Sequence, residues 1–210
     1  MTEHAGDTHD PRHTWLRPET HGLATLNGTA LLIIDMQNAY FEDPALAAAL
    51  PALLEHTNEL IRAGRAAGLP VILVRTIHAR DRSTWTLNML EDDEGFAFPG
   101  TEQAAYVDGL MIGDAVDIAK TRDNAFHGTR LGEVIAELGV RHLLIGGVST
   151  HSCVAQTAMA AFAEDLHVAI AGDAIASENR YLSEAALTFL SEEMRQPVLD
   201  LAACLGLLRR

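Results

Sequence analysis

Short apolar runs alternate with longer amphipathic stretches along most of this chain. Unbroken apolar runs are typical of strands buried on both faces of a parallel sheet, and the chain has them at 30–35, 71–75, 115–119, 142–146, 167–171 and, more briefly, 197–201. Apolar residues at helical spacing occupy stretches between them, at 51–67, 131–138 and 154–165. This order predicts right-handed βαβ units, and hence an α/β domain with a doubly wound, mainly parallel sheet of five or six strands and helices on both faces.

Two regions interrupt this rhythm. Residues 1–28 lack periodicity and are predicted to form an irregular arm ahead of a single domain at 29–210. The spacing of the histidines in this arm fits no compact metal-coordination pattern, so we interpret them as surface residues: His4, His9, His13 and His21. Residues 78–113 are long for a connection, and their aromatic residues predict a partly ordered loop that shapes a pocket: Trp85, Phe96 and Phe98.

Composition narrows the classes of partner. The chain has 210 residues, 48% of them hydrophobic, which suits one well-buried domain, and its formal net charge of −14 disfavours binding to nucleic acid or anionic membranes. No apolar run approaches the ~20 residues of a membrane-spanning helix, and the first ten residues lack the pattern of a signal peptide. We therefore expect a soluble, cytoplasmic protein whose partner is a small-molecule substrate.

An acid, an amine and a thiol follow three of the predicted strands. Asp35 ends the first strand, Lys120 ends the third and Cys153 follows the fourth, at the sheet edge where α/β proteins bind ligands. Each has a simpler interpretation, because Asp35 could cap a helix, Lys120 could be a solvated charge and Cys153 could be a small buried hydrophobe. The position of Cys153 at the start of a predicted helix favours a stabilised thiolate, whereas Cys204 lies in an apolar tail and is predicted to be core.

The same three residues lie in segments that resemble known motifs. The segments are Asp35-Met-Gln-Asn, KTRDNAFHGT at 120–129 and GVSTHSCV at 147–154. In this order they resemble the three motifs of the isochorismatase-like cysteine hydrolases, a superfamily that includes nicotinamidases, N-carbamoylsarcosine amidase, ureidoacrylate amidohydrolases and isochorismatases. The resemblance covers about residues 28–200, and the ordered trio is far more specific than any single motif.

The resemblance implies a mechanism. Asp35 would take the proton of the Cys153 thiol, and the sulfur would attack a substrate carbonyl to give a thioester as ammonia or an amine leaves. Lys120 would hold Asp35 in place and favour the thiolate. A non-proline cis peptide bond between Val148 and Ser149 is also implied, with the N–H groups of Ser149 and Cys153 forming an oxyanion hole. No cofactor is expected, and the resemblance implies a homodimer or homotetramer.

Two departures from the family pattern bear on metal and substrate. Nicotinamidases hold a metal through an Asp-x-His pair after the second strand, but the matching stretch here is Thr76-Ile77-His78, so we expect no metal site. His78 could line the pocket, donate a hydrogen bond to substrate or be a plain loop residue, and we take the last interpretation. After Lys120 the family often has an aromatic residue and a serine, whereas this chain has Asp123 and Asn124.

The walls of the pocket can be predicted only coarsely. Residues close to the strand ends are expected to contact substrate, although core packing explains the aromatic ones equally well: Gln37, Phe41, Trp85 and Phe126. His151 has a weaker claim, because it could simply face solvent on the turn before Cys153.

Three functions stay open at this point. The leading one is a cysteine-dependent hydrolase that cleaves a C–N bond of a small amide, carbamoyl or ureido substrate. The second is an isochorismatase-type vinyl ether hydrolase, which needs the acid but no thiol, so the presence of Cys153 disfavours it. The third is a non-catalytic binding or assembly module, which the complete set of Asp35, Lys120 and Cys153 disfavours.

Overall fold

The computed structural model describes residues 28–209, so the predicted arm lies outside it except for Gly28. Within this range the chain forms a six-stranded sheet in the order β3-β2-β1-β4-β5-β6, and all neighbouring strands are parallel. The strands are β1 (Thr29–Ile34), β2 (Val71–Thr76), β3 (Val116–Lys120), β4 (His142–Val148), β5 (His167–Ala176) and β6 (Val198–Leu199). The predicted α/β fold with its doubly wound parallel sheet is confirmed, and the short sixth strand is present.

Six α-helices connect and flank these strands in the described part of the chain. They are α1 (Pro44–Ala66), α2 (Leu87–Asp92), α3 (Leu131–Glu137), α4 (Ala155–Ala163), α5 (Arg180–Glu192) and α6 (Leu201–Leu208). Over residues 28–209, no helix is long and apolar enough to cross a bilayer.

The sheet separates two hydrophobic cores, because successive side chains of a strand point to opposite faces. One core joins Leu32, Ile34 and Val74 to the apolar sides of α3, α4 and α5. The other joins Leu31 and Ile33 to α1 and α6. The central strands are buried on both faces, which is why their sequences read as unbroken apolar runs.

Helix α1 begins seven residues before the predicted start. The prediction took Pro51 as the first residue of the helix, but the helix runs from Pro44 to Ala66 with Pro51 inside it. The side chain of Asp43 accepts hydrogen bonds from the N–H groups of Ala45 (2.8 Å) and Leu46 (3.2 Å), and Pro44 occupies the first turn, where its missing N–H costs nothing. Asp43 and Pro44 are therefore the start signal, and Pro51 is tolerated because it lies on the exposed side.

Three helices were not predicted. Helix α2 lies inside the long loop at 78–113, α5 follows β5 and α6 occupies the apolar tail. The tail is helical because the side chain of Asp200 caps it by accepting from the N–H of Ala203 at 2.7 Å. Cys204 on this helix is fully buried in the second core, as predicted.

Strand β4 comes unusually close to β1 at Gly147. Gly147 pairs with Ile34 and has φ of +113°, and a Cβ atom at this position would overlap the backbone oxygen and nitrogen of Ile34. Only glycine combines this conformation with this approach. The contact fixes the end of β4 against the residue that precedes Asp35.

We expect Gly147→Ala to lower the free energy of unfolding by roughly 3 kcal/mol or more, because the added methyl group meets backbone atoms that cannot move aside. Gly132→Ala is the matched control. Gly132 is exposed in α3 with open space around it, so the same change there should be neutral or stabilise by about 0.5–1 kcal/mol. Urea denaturation of both variants measures the difference, and equal midpoints would contradict this account of the β1–β4 contact.

Candidate active site

Four polar residues meet at the carboxyl edge of the sheet. Asp35 follows β1, Thr76 ends β2, Lys120 ends β3 and Cys153 follows β4. Thr76 and Lys120 are register partners, and they extend the same faces of their strands as Val74 and Ile118 in the first core. The chain therefore brings these side chains together at the top of one core layer.

The backbone at Asp35 turns sharply away from β1. Its φ is +53°, in the left-handed region that aspartate tolerates better than most residues, and its N–H still donates to the carbonyl of Val74 at 2.8 Å. The carboxylate is fully buried. Asp35 thus ends the strand pairing and lies beneath the sheet edge instead of capping a helix.

Asp35 and Lys120 form a buried ion pair. The Nζ atom of Lys120 lies 2.7 Å from Oδ2 of Asp35, with 1% and 0% of the two side chains exposed. Isolated charges at this depth would be strongly disfavoured, so each requires the other.

The hydroxyl of Thr76 connects this pair to the pocket wall. It donates to Oδ1 of Asp35 at 3.1 Å and accepts from Nζ of Lys120 at 2.8 Å. Its oxygen is also 2.8 Å from the hydroxyl of Tyr40. Since the single proton of Thr76 is used on Asp35, Tyr40 must be the donor of that third bond. Every donor and lone pair of the Thr76 hydroxyl is therefore engaged.

Cys153 lies beside the ammonium group. A turn of π-helix, Thr150–Val154, leads directly into α4 and holds the sulfur 3.3 Å from Nζ of Lys120. The Oδ1 atom of Asp123 is 3.7 Å from the same sulfur. Cys153 is only 2% exposed, so its thiol is almost entirely shielded from solvent.

The turn before Cys153 is tied to the loop that follows β5. The peptide bond between Val148 and Ser149 is cis, as the resemblance implied. The hydroxyl of Ser149 donates to Oε2 of Glu178 at 2.6 Å, and the ring of His151 lies between Ser177 (2.7 Å) and Glu178 (3.5 Å). His151 is therefore a partly buried brace of the turn, with 18% of its side chain exposed.

Burial and neighbouring charges set the protonation states of the site. Burial alone would lower the pKa of Lys120, but the charges of Asp35 and Cys153 outweigh it and raise the pKa to about 12. Burial, followed by the charge of Asp35, raises the pKa of the Cys153 thiol well above the usual 9.0, although Lys120 opposes this shift. This direction runs against the expected stabilised thiolate, because burial and the charge of Asp35 together outweigh the charge of Lys120. At neutral pH these shifts leave Cys153 as a thiol and Lys120 as an ammonium.

A cleft of about 390 Å³ opens above Cys153. Besides Cys153 it is lined by Ala39, Tyr40, Glu42, Asp43, Leu46, Phe96, Gln103, Asp123, Ser149, Ser152 and Glu178. Phe96 and Gln103 come from the long loop at 78–113, which confirms that this loop shapes the pocket. A larger groove of about 560 Å³ runs between α1 and α6, but its walls offer no nucleophile, so we place the chemistry at Cys153.

The residues predicted to contact substrate do not line this cleft. Gln37 is fully buried, and its amide donates to the carbonyls of Thr76 (2.9 Å) and Ala104 (3.0 Å) and accepts from the N–H of Thr76 (2.7 Å). All its polar atoms are engaged with backbone, so it joins three segments around the site.

The three aromatic residues predicted for the pocket have other surroundings. Phe41 packs against the second core and Phe126 against the first. The indole N–H of Trp85 donates to the carbonyl of Ala79 at 2.9 Å, and its ring stacks obliquely on Phe98. The aromatic side chains on the cleft wall are Tyr40 and Phe96 instead.

Residues 28–209 do not assemble the ligands of a nicotinamidase-type metal site. His78 is 2% exposed and its Nδ1 atom lies 3.1 Å from the carbonyl of Thr84, so that nitrogen carries the proton and braces the loop. Burial lowers the pKa of His78, which keeps it neutral. Thr76, at the position of the family's aspartate, has its hydroxyl fully engaged with Asp35, Lys120 and Tyr40. Residues 28–209 contain no group of three or more His, Cys, Asp or Glu placed to hold a metal ion.

Comparison with known proteins decides the family. The sequence profile described as the isochorismatase domain matches residues 29–203. The chain belongs to the isochorismatase family. Among its isochorismatase-family relatives, a protein of Arabidopsis thaliana named "probable inactive nicotinamidase" is 35% identical over 158 residues, covering 71% of this chain and 81% of the relative. Nicotinamidase 3 of the same plant is 31% identical over 167 residues, covering 77% and 80%.

Solved structures agree with the sequence match. An isochorismatase-family protein from Desulfovibrio vulgaris superposes with a TM-score of 0.76 at 28% sequence identity, covering 88% of this chain and all of that protein. The isochorismatase fold therefore accounts for the whole described sheet and its helices.

The sequence-based prediction did not assign four residues to this isochorismatase-family site: Tyr40, Thr76, Asp123 and Glu178. Thr76 could have been found, because it ends β2 at the same edge as Asp35 and Lys120. Asp123 was noted only as a departure from the family pattern. Nothing local in the sequence points to Glu178, since its contact with Ser149 depends on how the loop after β5 folds back.

We expect Lys120→Met to destabilise the fold by about 3–5 kcal/mol, because it leaves the buried Asp35 carboxylate without its counter-ion. The double variant Asp35→Asn/Lys120→Met should recover at least half of this loss, since both charges are then absent. Arg180→Met, which breaks the exposed pair with Glu184, is the control and should have little effect. Urea denaturation near pH 7 distinguishes these cases, and a double variant no more stable than Lys120→Met would count against the ion-pair interpretation.

We expect alkylation of Cys153 by iodoacetamide to accelerate continuously from about pH 7 to about pH 9, because the thiol pKa lies well above 9.0. Peptide mass spectrometry at each pH measures the rate at this residue. Cys204 is an internal control, because burial raises its pKa to about 12 and it should stay unlabelled while the fold is intact. A rate for Cys153 that levels off below about pH 8 would show a stabilised thiolate and contradict the assignment.

Proposed function

We propose that this protein hydrolyses the C–N bond of a small amide, carbamoyl or ureido compound, with Cys153 as nucleophile. The observation that carries the proposal is the contact of one ammonium group with both partners, 2.7 Å from the Asp35 carboxylate and 3.3 Å from the Cys153 sulfur. A thiol beside a buried carboxylate and a cation is the set of groups that a cysteine nucleophile needs.

The names of the relatives point to the same chemistry. Nicotinamidases hydrolyse an amide, and one of the two plant relatives carries that name without qualification. The other is named as inactive, so family membership alone does not establish activity. The argument for activity therefore depends on the intact set of Asp35, Lys120 and Cys153 in this chain.

In the first step Asp35 acts as a general base. The raised pKa of the Cys153 thiol means that the proton is on sulfur at rest, and the Asp35 carboxylate is the acceptor for it. The sulfur then forms a bond to the substrate carbonyl carbon, and the electron pair of the C=O bond moves to oxygen. Lys120 keeps Asp35 in position and offsets the negative charge shared between carboxylate and sulfur.

The oxyanion is proposed to be stabilised by the backbone N–H groups of Ser149 and Cys153. A donor of this kind is typically worth about 3–4 kcal/mol of barrier, since it is held in place before the reaction begins. The hydrogen bond from Ser149 to Glu178 supports this role, because it fixes the residue that carries one of the two donors.

Collapse of the intermediate breaks the C–N bond. The leaving nitrogen takes the proton from Asp35 and departs as ammonia or an amine, which leaves an acyl thioester on Cys153. Asp35, again a carboxylate, then removes a proton from water, whose oxygen attacks the thioester carbonyl. The sulfur leaves, recovers its proton and releases the acid product, so the protein returns to its starting state.

A vinyl ether hydrolase and a non-catalytic module are the competing functions. Neither uses a thiol positioned between an ammonium and a carboxylate, and the vinyl ether reaction needs only an acid. These alternatives are distinguished by products: isochorismate hydrolysis releases pyruvate, amide hydrolysis releases ammonia, and a binding module releases neither.

We expect a panel of small amides, carbamoyl and ureido compounds to include substrates from which the protein releases ammonia. Cys153→Ser and Cys153→Ala should each lower turnover at least about a thousandfold, because the nucleophile is lost. Cys204→Ala is the matched control and should keep turnover, since Cys204 lies in the other core. Acid quenching followed by mass spectrometry should find the acyl group on the peptide that contains Cys153.

Full ammonia release by both Cys153 variants would exclude the proposed mechanism. Pyruvate from isochorismate without ammonia from any amide would favour the vinyl ether reaction instead.

A further inference from the structure

One carboxylate on the cleft wall has no part in the proposed proton transfers. Asp123 lies three residues after Lys120, and its Oδ1 atom is 3.7 Å from the Cys153 sulfur. Its other oxygen accepts a hydrogen bond of 2.7 Å from the side chain of Gln156 on α4. The Cys153 thiol donates to Oδ1 and Gln156 donates to the other oxygen, so the carboxylate is held beside the nucleophile, and its remaining lone pairs can accept from a molecule in the cleft.

Asp123 differs from Asp35 in having no cationic partner among the described residues. No Lys or Arg side chain of residues 28–209 lies within ion-pair distance of it, in contrast to Asp35 and its partner Lys120. The other acidic residues of the cleft have separate roles, since Asp43 caps α1, Glu42 binds Gln103 and Glu178 binds Ser149. Asp123 is thus the acidic group of the cleft wall that faces the reacting sulfur without a counter-ion.

The other polar groups that line the cleft also favour a substrate with hydrogen-bond donors. Tyr40 uses its proton on Thr76, so its oxygen can only accept a hydrogen bond from a molecule in the cleft. The lining residues in the described range include no Lys or Arg. A substrate that carries its own positive charge or several N–H groups would match this wall, and a carboxylate would be repelled by it.

We propose that Asp123 is a specificity-determining residue that selects substrates with a cationic group, such as an ammonium or amidinium, next to the scissile carbonyl. This inference rests on the proposed function, because it names the substrate class of the same site. It also explains why this chain has Asp123 where the family often has an aromatic residue, since an aromatic side chain could not select for charge in this way.

Charge-selective alkylation of Cys153 tests the proposal without a known substrate. The probes are iodoacetamide (neutral), iodoacetate (anionic) and 2-bromoethylammonium (cationic), with labelling of the Cys153 peptide measured by mass spectrometry at one pH. Dividing each charged-probe rate by the iodoacetamide rate removes the thiolate fraction, which is common to all three. Comparing these ratios between variants removes the intrinsic reactivity of each probe.

In Asp123→Asn we expect the anionic-to-neutral ratio to rise about tenfold and the cationic-to-neutral ratio to fall about tenfold relative to wild type. Asp123→Glu, which keeps the charge, should retain the wild-type ratios. Glu164→Gln removes an exposed charge at the C-terminal end of α4, at the opposite end of that helix from Cys153, and should stay within twofold of wild type. Ratios for Asp123→Asn that also stay within twofold would overturn the proposal.

A matched set of amides separates this inference from the proposed function. Propanamide, 2-aminopropanamide and malonamate differ mainly in charge, and the wild type should favour the cationic amide about tenfold or more in kcat/KM over the neutral one. Asp123→Asn should abolish that preference. Amide hydrolysis that shows no charge preference would overturn the role of Asp123 and leave the hydrolase intact. Alkylation ratios that depend on Asp123, together with no hydrolysis of any amide, would support the charge selection and reject the hydrolase.

Discussion

The ion pair between Asp35 and Lys120 is the constraint on which the site depends. Two opposite charges lie 2.7 Å apart where almost no solvent reaches, and desolvation makes either one costly without the other. The same burial sets the resting state of Cys153. Burial, and after it the charge of Asp35, raises the pKa of the thiol while Lys120 opposes the shift, so the sulfur is protonated at rest. The stability of the fold and the proposed proton transfer from Cys153 therefore both depend on the contact between Asp35 and Lys120.

The buried pair also explains why the surrounding polar residues are so fully bonded. Thr76 contributes its hydroxyl to both charges, and Gln37 holds the backbone of Thr76 in place through two of its three hydrogen bonds. A buried polar network is favourable only when its members are satisfied. The fold satisfies this one by assembling it from three strand ends and one loop, so that no single segment carries the site.

Much of the fold could be predicted from sequence, because the parallel strands are unbroken apolar runs and their burial on both faces forces that pattern. All six strands were anticipated, as was the convergence of the acid, the amine and the thiol at one sheet edge. The helix starting at Pro44 was misplaced because its start is set by a side-chain cap at Asp43, while apolar periodicity drew attention to the turns after Pro51. Helix α5 was missed since only one of its side chains, Leu190, is fully buried, which leaves a weak apolar signal.

The walls of the cleft were much less predictable. Phe41, Trp85 and Phe126 follow strand ends, but their side chains turn into the cores or into the long loop, and sequence position does not reveal that direction. The protonation state of Cys153 was also misjudged, because helix position is visible in a sequence and depth of burial is not. Thr76, by contrast, could have been predicted as a site residue, because it ends a strand at the same sheet edge as Lys120. From the sequence it was considered only as a residue that does not match a metal ligand.

The sheet order places β2 between the strands that carry Asp35 and Lys120. Adjacent strands are about 4.8 Å apart, so the backbones that carry Asp35 and Lys120 are separated by roughly 10 Å of sheet, and the two side chains meet above residue 76 between them. A side chain larger than threonine there would obstruct the lysine, and one lacking a hydroxyl would leave both charges short of a partner. In this chain residues 76 and 120 are therefore coupled, because replacing either side chain removes a hydrogen bond from the other.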